Sequence, residues 1–340
     1  MGPLTFFSQA RVLIVTGKGG VGKTTVSGVM ANLAARDGLR AMIVQIVAPG
    51  AQDEPEAAHL SRLFGRDEPI GYEAIVLWAR EGTKGGVSAR AVRPDAALVE
   101  YLHIHGMRRL SRRLVASGAL DVVATAVPGM PDMLVLGKIK QMERAAAAGQ
   151  PDAPDLIVLD APAAGHAVRF LQSPYGLLEA TSGGPLQAQA KDVVEMLSDP
   201  ARCQVFLVTT PDDTPVSETI ETAQLLQQKT GVKLVGVVVN GRLPFLALPA
   251  RVEPAELAKM AKAEGARLSS GELQSLAAAG QLRLRRQEAQ AVQVARLASE
   301  LPLPQLELPF CFSSELGPAE LGQLTDAFAT AVGAWVAVSQ

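Results

Sequence analysis

The chain predicts an α/β fold, a mostly parallel sheet covered by helices on both faces with a helical subdomain, on three observations. Apolar, β-branched runs recur with helical patterns between them, which is how parallel strands joined by helical crossovers read. The first run, Val12-Leu13-Ile14-Val15, passes through a glycine-rich turn straight into a helical pattern, Val26 to Ala34. The composition also suits one large covered sheet. Of 340 residues, 48% are hydrophobic and 19% charged, with no linker, repeat or low-complexity tract between the patterns. The expectation is a single domain over 1–340, with helical elaborations at about 94–150 and 172–200.

Taken in order, the first strand is expected at Arg11–Thr16. The turn after it, Gly17-Lys18-Gly19-Gly20-Val21-Gly22-Lys23-Thr24-Thr25, fits G-x-x-x-x-G-K-[ST] in its strand–loop–helix setting, so the chain reads as a P-loop NTPase. Glycines let backbone N–H groups turn inward around phosphate oxygens, and the helix N-terminus adds partial positive charge where the anion sits. Lys23 is then expected on the terminal phosphates and the Thr24 hydroxyl on Mg²⁺. A second strand is expected at Ala41–Val47. The span to about Val92 is less regular, with a short helix closing at Gly65 and an extra strand at Glu73–Ala79. Pro94 and Asp95 open a helix well, since proline costs nothing in the first turn and the acid complements the dipole. Beyond it Arg108, Arg109, Arg112 and Arg113 cluster on neighbouring turns, either as a solvated or partner-contacting face or as an anion or lipid-headgroup site. A third core strand is expected at Leu120–Ala124, then a helix in which Leu134, Leu136 and Met142 read as core residues rather than as the lining of an exposed apolar groove. The run Leu156–Asp160 delivers an aspartate from an apolar strand, the second phosphate-loop hallmark, so Asp160 is expected to hold Mg²⁺ through water. Strands at Val205–Thr210, Leu234–Asn240 and Gln305–Pro309 complete the sheet, and Asn240 at a strand's carboxyl end lies where α/β sheets bind ligands.

Lys18 ahead of Lys23 gives the deviant form of the loop. With it, the sequence resembles the arsenical-pump-driving and tail-anchored-protein-targeting ATPase family, with septum-site ATPases as more distant relatives. Four motifs in matching order between Leu13 and Leu316 carry the resemblance. It implies a Mg²⁺-dependent dimer with ATP between the subunits, Lys18 and Asp212 reaching the partner's nucleotide, Asn240 reading adenine, and Pro309 and Phe310 flanking the base. Within Asp160-Ala161-Pro162-Ala163-Ala164-Gly165-His166, Gly165 would sense the γ-phosphate, while His166 transmits the switch or packs. The catalytic set is then Lys18, Lys23, Asp160 and Gly165, and the nucleotide-binding set is Gly17 to Thr25 with Asp212, Asn240, Pro309 and Phe310.

The departures matter as much. The family's D-P-A-H is replaced by Val47-Ala48-Pro49, so the water-orienting aspartate is missing, and only Asp53 and Glu54 lie near. Both threonines of the family's D-T-A-P-T-G-H are lost, and Pro131 replaces the first acid of its P-P-G-h-D-E helix. Hydrolysis is therefore expected to be slow or to depend on a partner, which makes a paralogous subunit an alternative to a homodimer. A non-hydrolysing nucleotide-gated scaffold and a septum-site-type partitioning ATPase are the rival readings. A protein client follows from the resemblance alone. Cys203 and Cys311 lie in no metal spacing and are expected as buried thiols, which disfavours metal-bridged dimers and metalloid sensing. A net charge of −2 gives no reason to expect nucleic acid. No leader is evident and no apolar run spans a bilayer, so the expectation is a cytoplasmic protein without stable membrane anchoring.

Overall fold

The computed structural model describes residues 4–7, 9–47, 55–80, 82, 85–104, 106–117, 120, 128–249 and 251–338. A short α1 (Leu4–Phe7) leads into β1 (Val12–Gly17), all six residues of which are buried. Val12 and Ile14 enter one apolar cluster, Leu13 and Val15 the other. Alternate side chains leave a strand on opposite faces, and a strand covered on both faces must be apolar throughout. Then α2 (Lys23–Arg36) is buried continuously from Thr25 to Ala35. It is held against the sheet by the terminal helix (Pro318–Val338, α12 in chain order), where Asn32 Nδ2 donates to Thr325 Oγ1 at 3.0 Å. Phe328 and Val332 of that helix are fully buried, so its apolar character is spent on the core.

The remaining strands are β2 (Arg40–Ile46), β3 (Ile75–Ala79), β4 (Gly86–Val92), β5 (Leu156–Ala163), β6 (Cys203–Thr209), β7 (Lys233–Arg242) and β8 (Gln305–Pro309). They join β1 in one sheet of order β3-β4-β2-β5-β1-β6-β7-β8. Only β3 runs antiparallel, against β4. Between β2 and β6 the chain crosses from one side of β1 to the other, so β1 sits at the topological switch point with β5 and β6 as its neighbours. One face is covered by α1, α2, α3 (Pro55–Leu63) and α12. The other is covered by α4 (Pro94–Ile104), α6 (Met130–Ala147), α7 (Ala164–Ala180), α8 (Gly184–Ser198) and α9 (Asp213–Lys229). Three helices hold back from the core: α5 (Arg108–Ser117) buries only Ser111, α10 (Pro254–Ala263) buries none of its residues, and α11 (Ser270–Glu300), paired with α10, buries only Ala277 and Leu297.

Helices fall in both spans expected to be helical, and the extra strand near Glu73–Ala79 is the antiparallel edge strand β3. One strand differs. The slot parallel to β2 belongs to β4, paired from Arg40↔Gly86 to Ile46↔Val92. With β5 on its other side, β2 is paired along both edges; of the strand expected at Leu120–Ala124 only Leu120 is described, and it is helical, while 121–127 lie outside the described residues. The signal was missed because β4 interrupts its apolar residues with Ser88 and Arg90. Arg90 Nη2 donates to Tyr72 O at 2.7 Å, and its guanidinium lies 4.7 Å from the Tyr72 ring centre. Beside them Lys138 Nζ and the Tyr72 hydroxyl both donate to Glu100 at 2.5 Å, tying α4 to α6. Leu134, Leu136 and Met142 are buried, which settles them as core. Cys203 is fully buried, and burial pushes its thiol up to about 12. Cys311 is only half-buried, a correction that follows from β8 ending at Pro309; both thiols are free.

Candidate nucleotide site at the end of the first strand

Gly17 closes β1 between Ala163 of β5 and Val208 of β6. A Cβ there would stand 2.1 Å from the Val208 carbonyl oxygen, so no other residue lets the loop leave the sheet at this point. Gly22 precedes α2 with φ +89°, and its Cβ would lie 2.3 Å from Asn240 Nδ2. Gly20 takes φ +83° and Gly19 meets open space, so these two leave the outer loop uncovered. Val21 and Thr25 are buried beneath it. No side chain caps α2, so its first-turn N–H groups face the cradle along with the positive end of the helix.

The charged groups converge on that cradle. Lys23 Nζ arches back to donate to Lys18 O at 3.1 Å. The Thr24 hydroxyl donates to Asp160 Oδ2 at 2.7 Å, joining the start of α2 to β5. Thr16, fully buried, donates to Pro162 O at 2.9 Å and fixes the segment after Asp160. Gly165 is exposed on the first turn of α7, whose N-terminus has no side-chain cap; beside it His166 Nδ1 lies 3.2 Å from Arg169 Nη2. Two hard oxygen donors at the phosphate end suit Mg²⁺, which keeps waters and takes phosphate oxygens for its other positions. Among the described residues no cluster of three or more His, Cys, Asp or Glu competes as a metal site.

On the β7 side, Asn240 Nδ2 donates to Val21 O at 2.9 Å, so the amide pins the phosphate loop and keeps its oxygen and second hydrogen for a ligand. Phe310 N donates to Arg242 O at 2.8 Å, continuing from Pro309, which pairs Arg242. The Phe310 ring stands edge to face with Phe312 at 4.9 Å; both are exposed. Asp212 is exposed at the start of α9, and its side chain makes no cap bond.

Lys18 shows a partner that sequence reasoning did not find. Its ammonium pairs with Glu218 Oε1 of the same chain at 2.7 Å, with both side chains about a third exposed. Glu218 lies on α9 six residues past Asp212, and the sequence alone carries no signal that brings it to the loop. A second residue missed is Asp132 on α6. Burial pushes its carboxyl above the ordinary range, partly offset by Arg169 and His166. Ala48, Asp53 and Glu54, where a water-orienting acid was sought, lie outside the described residues.

The model of the CobQ/CobB/MinD/ParA nucleotide-binding domain matches residues 12–242, from β1 to the end of β7. Over 317 residues, 89% of this chain and 88% of the relative, the sequence is 31% identical to the protein named ATPase BagA of Mycobacterium tuberculosis. Over 257 residues, 68% of this chain and 39% of the relative, it is 27% identical to an arsenical pump-driving ATPase of Escherichia coli.

Proposed function

The chain belongs to the CobQ/CobB/MinD/ParA nucleotide-binding family and is a P-loop ATPase of that class, similar to arsenical-pump ATPases; from that premise we propose that it works as an ATP-driven dimer. In this reading one domain carries the whole cycle. The observation that bears the most weight is the meeting of Lys23, Thr24 and Asp160 at the mouth of a cradle that only glycine at position 17 can form. Lys23 and the α2 amides bind the β- and γ-phosphates of ATP. Thr24 and Asp160 would hold Mg²⁺, which when bound neutralises charge building on those phosphates. Gly165 offers a backbone N–H where the γ-phosphate ends, so loss of that phosphate releases the start of α7.

Lys18 completes the site from the facing subunit. In the single chain it is held by Glu218, a pair about a third exposed and worth no more than about 1 kcal/mol, so ATP and a partner can draw it away at small cost. Hydrolysis is slow, or is completed by a paralogous subunit, because neither Val47 nor Ala48 can accept a proton from the attacking water. That same loss supports a second reading, a scaffold that binds ATP and does not turn it over.

Complementation separates the readings. Lys18→Ala and Lys23→Ala chains are each expected to lose single-turnover phosphate release. Mixed, they regain part of it, since one site of the mixed dimer has its own Lys23 and its partner's Lys18. A Lys18→Ala chain as active as the native one would contradict action across the interface. ATP binding without phosphate release, alone and with a paralogue, would favour the scaffold.

A further inference from the structure

The region from Tyr101 to Leu120 contains four arginines and no aspartate or glutamate, in a chain whose net charge is −2. Much of it is α5, which rests on α4 and turns Ser111 and Leu114 toward the core. At 3.6 residues per turn, Arg108, Arg109, Arg112 and Arg113 share an arc of about 140° pointing the other way. All four are exposed, and among the described residues no ion pair is formed by any of them, whereas Arg11, Arg36, Arg40, Arg93, Arg202 and Arg296 all pair with carboxylates. Exposed aliphatic side chains border the arc: Leu110 at 46% and Val115 at 56% on its two sides, with Ile104 at 57% where α4 ends.

We propose that this arginine face is a docking surface for the anionic phospholipid headgroups of a membrane, binding reversibly and in the plane of the bilayer. Guanidinium groups match phosphate oxygens two bonds at a time. The bordering aliphatics have a place in the acyl boundary of a bilayer and none against a nucleic-acid backbone, which selects lipid among polyanions. No helix among the described residues is long and apolar enough to cross a membrane. The contact is therefore superficial and screened by salt, because the attraction decays over about 8 Å at physiological ionic strength. It leaves the nucleotide site untouched and does not depend on the function proposed for it.

Co-sedimentation of the full chain with vesicles tests this. Binding is expected to vesicles of phosphatidylglycerol and phosphatidylcholine, to be absent with phosphatidylcholine alone, and to fall as salt is raised. Each arginine changed to glutamine weakens it by about fivefold, so the Arg112→Gln/Arg113→Gln pair is already well below the native chain and the fourfold variant binds no more than background. Leu110→Ser with Val115→Ser weakens it at constant charge. Changing Arg283, Arg285 and Arg286, a basic group elsewhere, leaves it unchanged. Circular dichroism confirms that each variant is folded. The proposal fails if anionic vesicles do not bind, if neutral vesicles bind as well, or if the folded fourfold or double variant binds like the native chain. Capture of duplex DNA in preference to anionic vesicles through the same arginines would overturn it in favour of nucleic acid.

Discussion

Replacing Gly17 by alanine puts a carbon 2.1 Å from the Val208 carbonyl oxygen, so either β1 or β6 must move. The expected cost is about 1–3 kcal/mol of stability, read as a lowered melting temperature, together with loss of nucleotide binding. Asn240→Ala removes the amide that holds Val21 O and is expected to weaken ATP binding while costing about 1 kcal/mol in the free protein. Glu218→Gln should leave stability within about 1 kcal/mol, because its pair with Lys18 is partly exposed, but free Lys18 and raise the dimer fraction at a given ATP concentration in sedimentation velocity. At this scale the sequence was legible where a motif groups residues: Gly17, Gly22, Lys23, Thr24 and Asp160 come together at the end of β1. Glu218 was not legible, since its meaning comes only from where β6 ends relative to the loop. The place of Asn240 near the carboxyl end of β7 was legible, but its hold on Val21 O was not.

Among elements, the tie at the far end of the sheet from the nucleotide site is a buried carboxylate between two arginines. Glu143 of α6 is 1% exposed and receives Arg11 Nε at 2.8 Å and Arg202 Nη2 at 2.6 Å, joining the helix to the starts of β1 and β6. Burial alone would raise its pKa; the hydrogen bonds and charges of Arg202 and Arg11 overcome that and hold it below the usual 4.5. A carboxyl depressed in the folded state stabilises the fold above its unfolded pKa and ceases to do so as pH falls through the folded one. Chemical denaturation should therefore show stability falling below about pH 4.5. Glu143→Gln is expected to lose about 3 kcal/mol at pH 7 and to show a shallower acid fall than the native chain. Strands that are apolar on both faces were legible to within a few residues, β1 lying at Val12–Gly17 and β6 at Cys203–Thr209, and the alternating edge strand β8 lies at Gln305–Pro309. The strand β4 was not, because Ser88 donates to Ala41 O of β2 and Arg90 joins a polar network built by Tyr72, Glu100 and Lys138, which exists only once α4 and α6 pack together.

For the molecule as a whole, the order of strands places a phosphate cradle at the switch point beside β1, with α2 buried behind it and Asn240 bonded to the loop from β7. Pairing is the consequence proposed at this scale, and sedimentation velocity should show a faster species with ATP and Mg²⁺ that is lost with ADP and in Lys18→Ala. The most direct measurement is a titration of the purified chain with labelled ATP in the presence of Mg²⁺, native against Lys23→Ala. Saturable binding by the native chain, weakened by about a hundredfold or more in the variant, is the predicted result. No uptake by the native chain, or equal uptake by both, would contradict it.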